Sequence, residues 1–276
     1  MNSYDNPYER LDDVTENRSR TDDAGSSLLA NIHRGRAVYI DRCDIASRMR
    51  PRIALLDASH GNPDTPRNFR RELDAYLAEF PVTDGTVPAT FDFDGVVVSG
   101  SRASVYGEEP WIEKTRTWLQ EALRREMPAL GICWGHQILA DALGGTVEPM
   151  GEYELGYRTV EHDGGELFEG IPDRFTVFTT HSDAVTELPP EGELLAENDY
   201  GIHGFRSGTA FGVQAHPEYD PKTAEAIVRR KDLPDERIEA ICADITAERY
   251  ADAQPAKLIF ENFGRIVEHE HVVAVD

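Results

Sequence analysis

The stretch that most constrains this chain is Gly131-Ile132-Cys133-Trp134-Gly135-His136-Gln137. It follows the apolar run Pro128-Ala129-Leu130 and leads into the amphipathic run Ile138 to Leu143, closed by Gly144-Gly145. The pattern predicts a strand, a very tight turn and a short helix, the context that lifts a nucleophile above the C-terminal edge of a sheet. Glycines two before and two after the cysteine let the chain turn without a Cβ clash. A helix N-terminus beneath the sulfur favours thiolate over thiol.

The rest of the chain fits an α/β fold around that turn. Arg52 to Asp57 and Val96-Val97-Val98 read as buried strands, the second ending in Ser99-Gly100-Ser101. Phe69, Leu73, Tyr76 and Leu77 recur at helical spacing, which predicts a helix from Pro66 to Phe80. Trp111 to Arg125 reads as a second helix, with Trp111 and Trp118 on one core-facing side. Between 146 and 215 the pattern turns to short strands, at 155–160, 175–180, 193–197, 202–206 and 210–215. Helices are expected at 222–230, 234–248 and 255–269. Alternating elements with buried strands imply a mostly parallel sheet covered by helices on both faces, with a smaller antiparallel region. Residues 1–50, poor in apolar periodicity, read as a flexible or partly helical extension with an accessory role; Met49 offers an alternative start. Residues 51–276 read as the catalytic domain, with 221–276 as its C-terminal helical segment.

Composition narrows the function classes. The net charge is −23, from 51 Asp and Glu against 28 Lys and Arg, and lysine occurs only at 114, 222, 231 and 257. That surface reads as salt-adapted and halophilic, where ionic strength screens self-repulsion. The competing reading is an ordinary acidic cytosolic protein. No basic stripe marks a nucleic-acid partner. No apolar run approaches the roughly 18 residues a membrane span needs, and the polar N-terminus lacks a secretory h-region. Cys43, Cys133 and Cys242 are too sparse for a disulfide framework and suit a reducing cytoplasm. Cys43 and Cys242 read as structural. His33, His60, His162 and His203 are not at metal-ligand spacing, so no metal is expected. No cofactor is expected either.

A cysteine nucleophile needs a base, and the base needs an orienting acceptor. Val213-Gln214-Ala215-His216-Pro217-Glu218 supplies both at a strand end, two residues apart, where both side chains can point the same way. Cys133, His216 and Glu218 could then form a relay. His136 reads as a helix-start residue rather than a second base.

With those residues in place, the chain resembles the class I (triad-type) glutamine amidotransferases over roughly residues 52–220. Gly-Ile-Cys-Trp-Gly-His-Gln followed about 80 residues later by His-Pro-Glu carries the likeness. Ser104-Val105-Tyr106 and Thr180-His181-Ser182-Asp183 resemble the Ser-Val-Tyr and His-Gly-Asp stretches in the glutaminase part of GMP synthetases. Glu154-Leu155-Gly156-Tyr157 resembles a Glu-Leu/Ile-Gly-Trp stretch of stand-alone relatives. The resemblance implies a flavodoxin-like fold and attack of Cys133 on the side-chain amide of glutamine or a related γ-glutamyl compound, through a thioester. It places the oxyanion hole at Trp134 with Gly100 or Ser101, and substrate contacts at Gln137, His181 and Asp183. Ser99-Gly100-Ser101-Arg102 stands where the family usually has Gly-Gly-Pro. No Ser-Gly-Gly-x-Asp-Ser loop or Walker lysine loop occurs in the 276 residues. Released ammonia would then pass to a separate ATP-using synthetase. A γ-glutamyl peptide hydrolase is the alternative, and a non-catalytic regulator with the same fold the second alternative.

Overall fold

A computed structural model describes residues 50–273 and three strands within the first 49, with side chains described for 50–270. The chain divides into two units, 1–50 and 51–276. In the first unit β1 (Ser19–Thr21), β2 (Ser27–His33) and β3 (Arg36–Asp41) pair antiparallel in that order. The described residues of the expected extension are therefore strands rather than helix. Cys43 and Met49 lie outside the described residues.

The second unit is built on β4 (Arg52–Asp57), β5 (Tyr76–Pro81), β6 (Gly95–Val98), β7 (Ala129–Ile132), β8 (Thr146–His162), β9 (Arg174–Glu187), β10 (Glu193–Asn198), β11 (Gly201–Ser207) and β12 (Ala210–Val213). They form one sheet in the order β5-β4-β6-β7-β12-β11-β10-β8-β9. The pairs from β5 to β12 are parallel, and those from β12 to β9 antiparallel. The antiparallel region thus continues the parallel sheet. The helices are α1 (Asp64–Glu72), α2 (Pro110–Arg124), α3 (Trp134–Ala142), α4 (Pro221–Val228), α5 (Asp235–Asp244), α6 (Ala247–Asp252) and α7 (Leu258–Val273).

Period-2 alternation feeds two cores. On β4, Ile53 and Leu55 join Phe69 of α1 and Phe260, Phe263 and Val267 of α7 on one face. Ala54 and Leu56 join Ile112, Trp118 and Leu119 of α2 and Ile138 and Leu139 of α3 on the other. Each large apolar side chain so enclosed stabilises the fold by about 1.5–3 kcal/mol relative to exposure. Trp111 and Trp118 are core residues as their spacing implied. A third cluster binds Leu155, Tyr157 and Phe178 to Ala224 and Val228 of α4, with Ile238, Ile241, Cys242 and Ile245 packed against it. Cys242 is thereby a half-buried packing residue.

One expected element is different. The helix predicted over 66–80 ends at Glu72: Leu73 is extended at φ −99°, ψ 121°, and Tyr76–Pro81 is the edge strand β5. Parallel pairing of Arg52 with Tyr76 through Asp57 with Pro81 overrides the helical spacing. An edge strand is only partly buried, so β5 lacks the continuous apolar run that marks a central strand.

Register aligns the strand ends. Val98 pairs with Gly131, and Ile132 with Val213, so the residues following β6, β7 and β12 emerge side by side at the C-terminal edge. In open α/β sheets this edge is where ligand sites gather.

Candidate active site

Cys133 sits between β7 and α3 with φ +55° and ψ −104°, a conformation that costs a non-glycine residue about 1–3 kcal/mol. Its neighbours impose the turn. A Cβ on Gly131 would lie 2.2 Å from the Gly135 carbonyl oxygen, and one on Gly135 2.2 Å from that of Val98. The Cys133 N–H donates to the Val213 carbonyl at 2.8 Å, fastening the elbow to β12. The side chain is 4% exposed, and Sγ lies 3.9 Å from the Thr180 carbonyl oxygen.

His216 and Glu218 follow β12. His216 Nδ1 and Glu218 Oε1 are 2.8 Å apart, both side chains buried. Burial alone would push the imidazole pKa down. The Glu218 carboxylate and the charge of the Cys133 sulfur outweigh it and push the pKa up to about 10. Tyr219 stacks on the ring at 4.1 Å between centroids, and the His216 N–H is held by the Phe178 carbonyl at 2.8 Å. Sequence reasoning misses what stands behind this turn. Arg71 of α1 donates to the Glu218 carbonyl and to Asp220 at 3.0 Å, and Arg67 donates to Asp220 at 2.7 Å. An i, i+4 arginine pair on a helix is visible, but nothing in the sequence says what it meets some 150 residues on.

The loop after β6 closes over the pair. Ser99 is buried; its Oγ accepts from the Ala58 N–H at 2.9 Å. A Cβ on Gly100 would lie 2.8 Å from His216 Cε1 and 3.6 Å from Cys133 Cβ, so only glycine lets the backbone come this close. Ser101 Oγ stands 3.3 Å from His60 Nε2, whose pKa burial and Arg102 hold low. Among the described residues, neither the Gly100 nor the Ser101 N–H bonds a backbone carbonyl. Trp134 opens α3, so its N–H has no intrahelical partner. Its ring rests on Trp111 at 5.1 Å.

The two motif stretches meet across the site. Ser104 Oγ and Tyr106 OH donate to the two carboxylate oxygens of Asp183 at 2.5 and 3.1 Å. Gln137 is buried, and its Nε2 donates to the Asp183 carbonyl at 2.8 Å and to Gln214 Oε1 at 3.1 Å. His181 faces the other way: Nδ1 lies 2.9 Å from the Asp183 carbonyl oxygen and Nε2 2.6 Å from Glu154 Oε2. His203 Nε2 meets the same oxygen at 3.0 Å, while Asn198 Nδ2 donates to Glu154 Oε1 at 2.7 Å. Burial would raise the Glu154 pKa, but these hydrogen bonds and the two imidazoles hold it well below the usual carboxylate range. Glu154, His181 and His203 bring ligand-type atoms within 4.8 Å of one another. Their 2.6 and 3.0 Å separations are those of hydrogen bonds, whereas donors on a tetrahedral ion at about 2.0 Å would stand about 3.3 Å apart. Both Glu154 oxygens are thus hydrogen-bonded, and the spacing is not that of an ion's ligands in this arrangement, while His203 Nδ1 is buried without a partner among the described residues. His136 is buried against Phe205 and Gly212, and burial lowers its pKa to about 3, so it stays neutral.

Residues 65–233 match the family model "Glutamine amidotransferase class-I". The chain belongs to the class-I glutamine amidotransferase family. Within the family, it is 34% identical over 163 residues to γ-glutamyl peptidase 5 of Arabidopsis thaliana, covering 55% of this chain and 65% of the peptidase. It is also 34% identical over 173 residues to a glutamine-hydrolysing GMP synthase of Thermomicrobium roseum, covering 62% of this chain but 31% of the synthase. The match therefore spans less than two thirds of either relative. Among solved structures, a glutamine amidotransferase from Thermotoga maritima superposes with a TM-score of 0.65 at 23% identity, covering 78% of this chain and 97% of that one. A glutamine amidotransferase from Methylobacillus flagellatus gives 0.59 at 17% identity, covering 78% and 95%. These two likenesses establish the flavodoxin-like α/β fold. No described helix is long and apolar enough to cross a membrane.

Proposed function

We propose that this class-I amidotransferase hydrolyses the side-chain amide of glutamine, with Cys133 as nucleophile, His216 as proton carrier and Glu218 as its orienting acceptor. The observation that carries the reading is the buried His216–Glu218 pair, 2.8 Å apart and gathered with the elbow cysteine against Gly100. The raised His216 pKa keeps the ring protonated at neutral pH, so it can donate to a leaving amine. Cys133 Sγ attacks the amide carbon, and the carbonyl oxygen takes the negative charge in a hole formed by the Trp134 N–H with that of Gly100 or Ser101. Collapse breaks the C–N bond as His216 gives the nitrogen its proton, and ammonia leaves a γ-glutamyl thioester. Water then attacks the thioester, losing a proton to His216, and the thiolate returns with glutamate. Gln137, His181 and Asp183 serve the substrate through the wall that they hold against Ser104 and Tyr106.

The ammonia acceptor is proposed to be a separate ATP-using synthetase, in line with the GMP synthase relatives. A second reading, hydrolysis of γ-glutamyl peptides, is favoured by the likeness to γ-glutamyl peptidase 5. Steady-state hydrolysis of glutamine and of γ-glutamyl dipeptides separates the two by which gives the higher kcat/KM. In either case Cys133→Ala is expected to lower kcat by about 10⁴-fold or more while the unfolding midpoint holds. Ammonia release at the wild-type rate by that variant would refute the nucleophile.

A further inference from the structure

Four lysines serve a chain with 51 acidic residues, and three have oxygen partners. Lys222 faces Asp64 at 3.7 Å, Lys257 bonds Glu72, and Lys114 donates to the Gly85 carbonyl at 2.6 Å. Among the described residues, Lys231 alone of the four has neither carboxylate nor carbonyl on its ammonium. Its Nζ lies 4.6 Å from the centroid of the Tyr153 ring. A partly buried cation without an anion is costly, and a surface so rich in carboxylates had every opportunity to supply one.

The backbone fixes where this residue stands. Lys231 follows α4 in a turn held by Arg230 N–H to Ile227 O and Lys231 N–H to Val228 O, with Val228 fully buried. Tyr153 belongs to an excursion of β8. Pro149 pairs with Asp183 and Glu154 with His181, so residues 150–153 stand opposite Ser182 alone. One residue before His181 is Thr180, whose carbonyl lies beside Cys133 Sγ. Lys231 and Cys133 also share a field: burial pushes the lysine pKa down, and the cysteine charge pushes it back up.

We infer that Lys231 receives a carboxylate of the γ-glutamyl substrate, an assignment that rests on the amide-hydrolysis reading above. Every γ-glutamyl compound carries an α-carboxylate, and a γ-glutamyl amino acid carries a second one on its leaving amine. A partly buried ammonium without an anion pairs strongly with either. Lys231 acts by positioning and takes no part in bond breaking.

The test compares wild type, Lys231→Met, Lys231→Gln and Lys231→Arg on glutamine, γ-glutamylglycine and γ-glutamyl-p-nitroanilide. If Lys231 holds the α-carboxylate, Met and Gln raise KM about 10- to 100-fold on all three, with kcat nearly kept and Arg restoring most of the loss. If it holds the leaving-group carboxylate, only γ-glutamylglycine shows the rise. A KM within about twofold of wild type on all three overturns the assignment, as does a loss confined to kcat. A KM rise that comes with a lowered unfolding midpoint in both Met and Gln variants and is not restored by Arg would mark Lys231 as a packing residue and overturn it too. A wild-type enzyme that turns over none of the three substrates refutes amide hydrolysis itself, an outcome distinct from a Lys231 variant that matches an active parent.

Discussion

The parallel half of the sheet holds Cys133 by backbone, whereas the antiparallel half holds Glu154 by side chains. Around Cys133 the constraint is steric: a positive φ, two glycines that no Cβ could replace and a strand that grips the elbow N–H. Around Glu154 the strand is irregular, with the 150–153 excursion before it and Gly156 at φ +104° after it, and the constraint is a carboxylate that accepts from His181, His203 and Asn198. The first arrangement stores strain where a sulfur must be presented. The second sinks a charge where a wall must keep its shape. Variants at the elbow should therefore lose chemistry and keep the fold, and variants of the Glu154 carboxylate should lose stability and keep chemistry per folded molecule.

Glu218→Gln should break the first half hardest after Cys133 itself, with kcat/KM down about 10²- to 10⁴-fold. Glu218 is one of the charges that raise His216, so its loss lowers that pKa. The alkaline limb of the pH–rate profile, set in wild type by a group near about 10, should move to lower pH. A limb that stays in place would separate Glu218 from His216. Gly135→Ala comes next: its methyl carbon cannot share space with the Val98 carbonyl, and a shift of about 1 Å at the elbow costs about 100-fold in rate. Single-turnover kinetics with an unfolding curve would show whether the loss lies in chemistry.

In the second half, Glu154→Leu should lower the unfolding free energy by about 3–5 kcal/mol, read from denaturant midpoints, and leave Cys133 alkylation unchanged in the folded fraction. The wild-type contribution has a definite sign with pH. The folded-state pKa of Glu154 lies below the ordinary 4.5, so its stabilisation is full above that value and drains away as pH falls below it. Glu154→Leu should therefore flatten the acid side of the stability curve. The smallest effect concerns the whole surface: raising salt from about 0.1 to 1 M should raise the melting temperature by screening the net charge of −23. A fall would count against the salt-adapted reading of the composition.

What can be read in the sequence divides along the same line. The elbow, the His216–Glu218 turn and the strands β4, β6 and β7 are legible because each is specified by contiguous residues, either a buried apolar run or glycines at fixed offsets from a cysteine. β5 is hidden because an edge strand needs little apolar continuity, and Leu73 and Leu77 happen to fall at helical spacing. The Glu154 cluster is hidden for a different reason. Its members lie 27 and 49 residues apart, and only the pairing of β8 with β9 and the turn back through β11 bring them together. Glu154-Leu155-Gly156-Tyr157 stands out as a motif, but no spacing rule tells that its acid points inward at two histidines. Arg71 and Lys231 share that limit, since a cation on a helix or turn does not announce the distant group that it faces.

The grip of β12 on the elbow has a consequence for how the protein comes into being. Cys133 N–H is bonded to Val213, and β7 and β12 are neighbours in space though some 80 residues apart in sequence. A growing chain that has passed Cys133 but not Val213 has nothing to clamp the elbow, and its imidazole partner does not yet exist. The thiol of a nascent or truncated chain is thus an ordinary, unreactive one. The assembled elbow arrives late in synthesis, at the moment when the central strand slots in, so half-made molecules lack it.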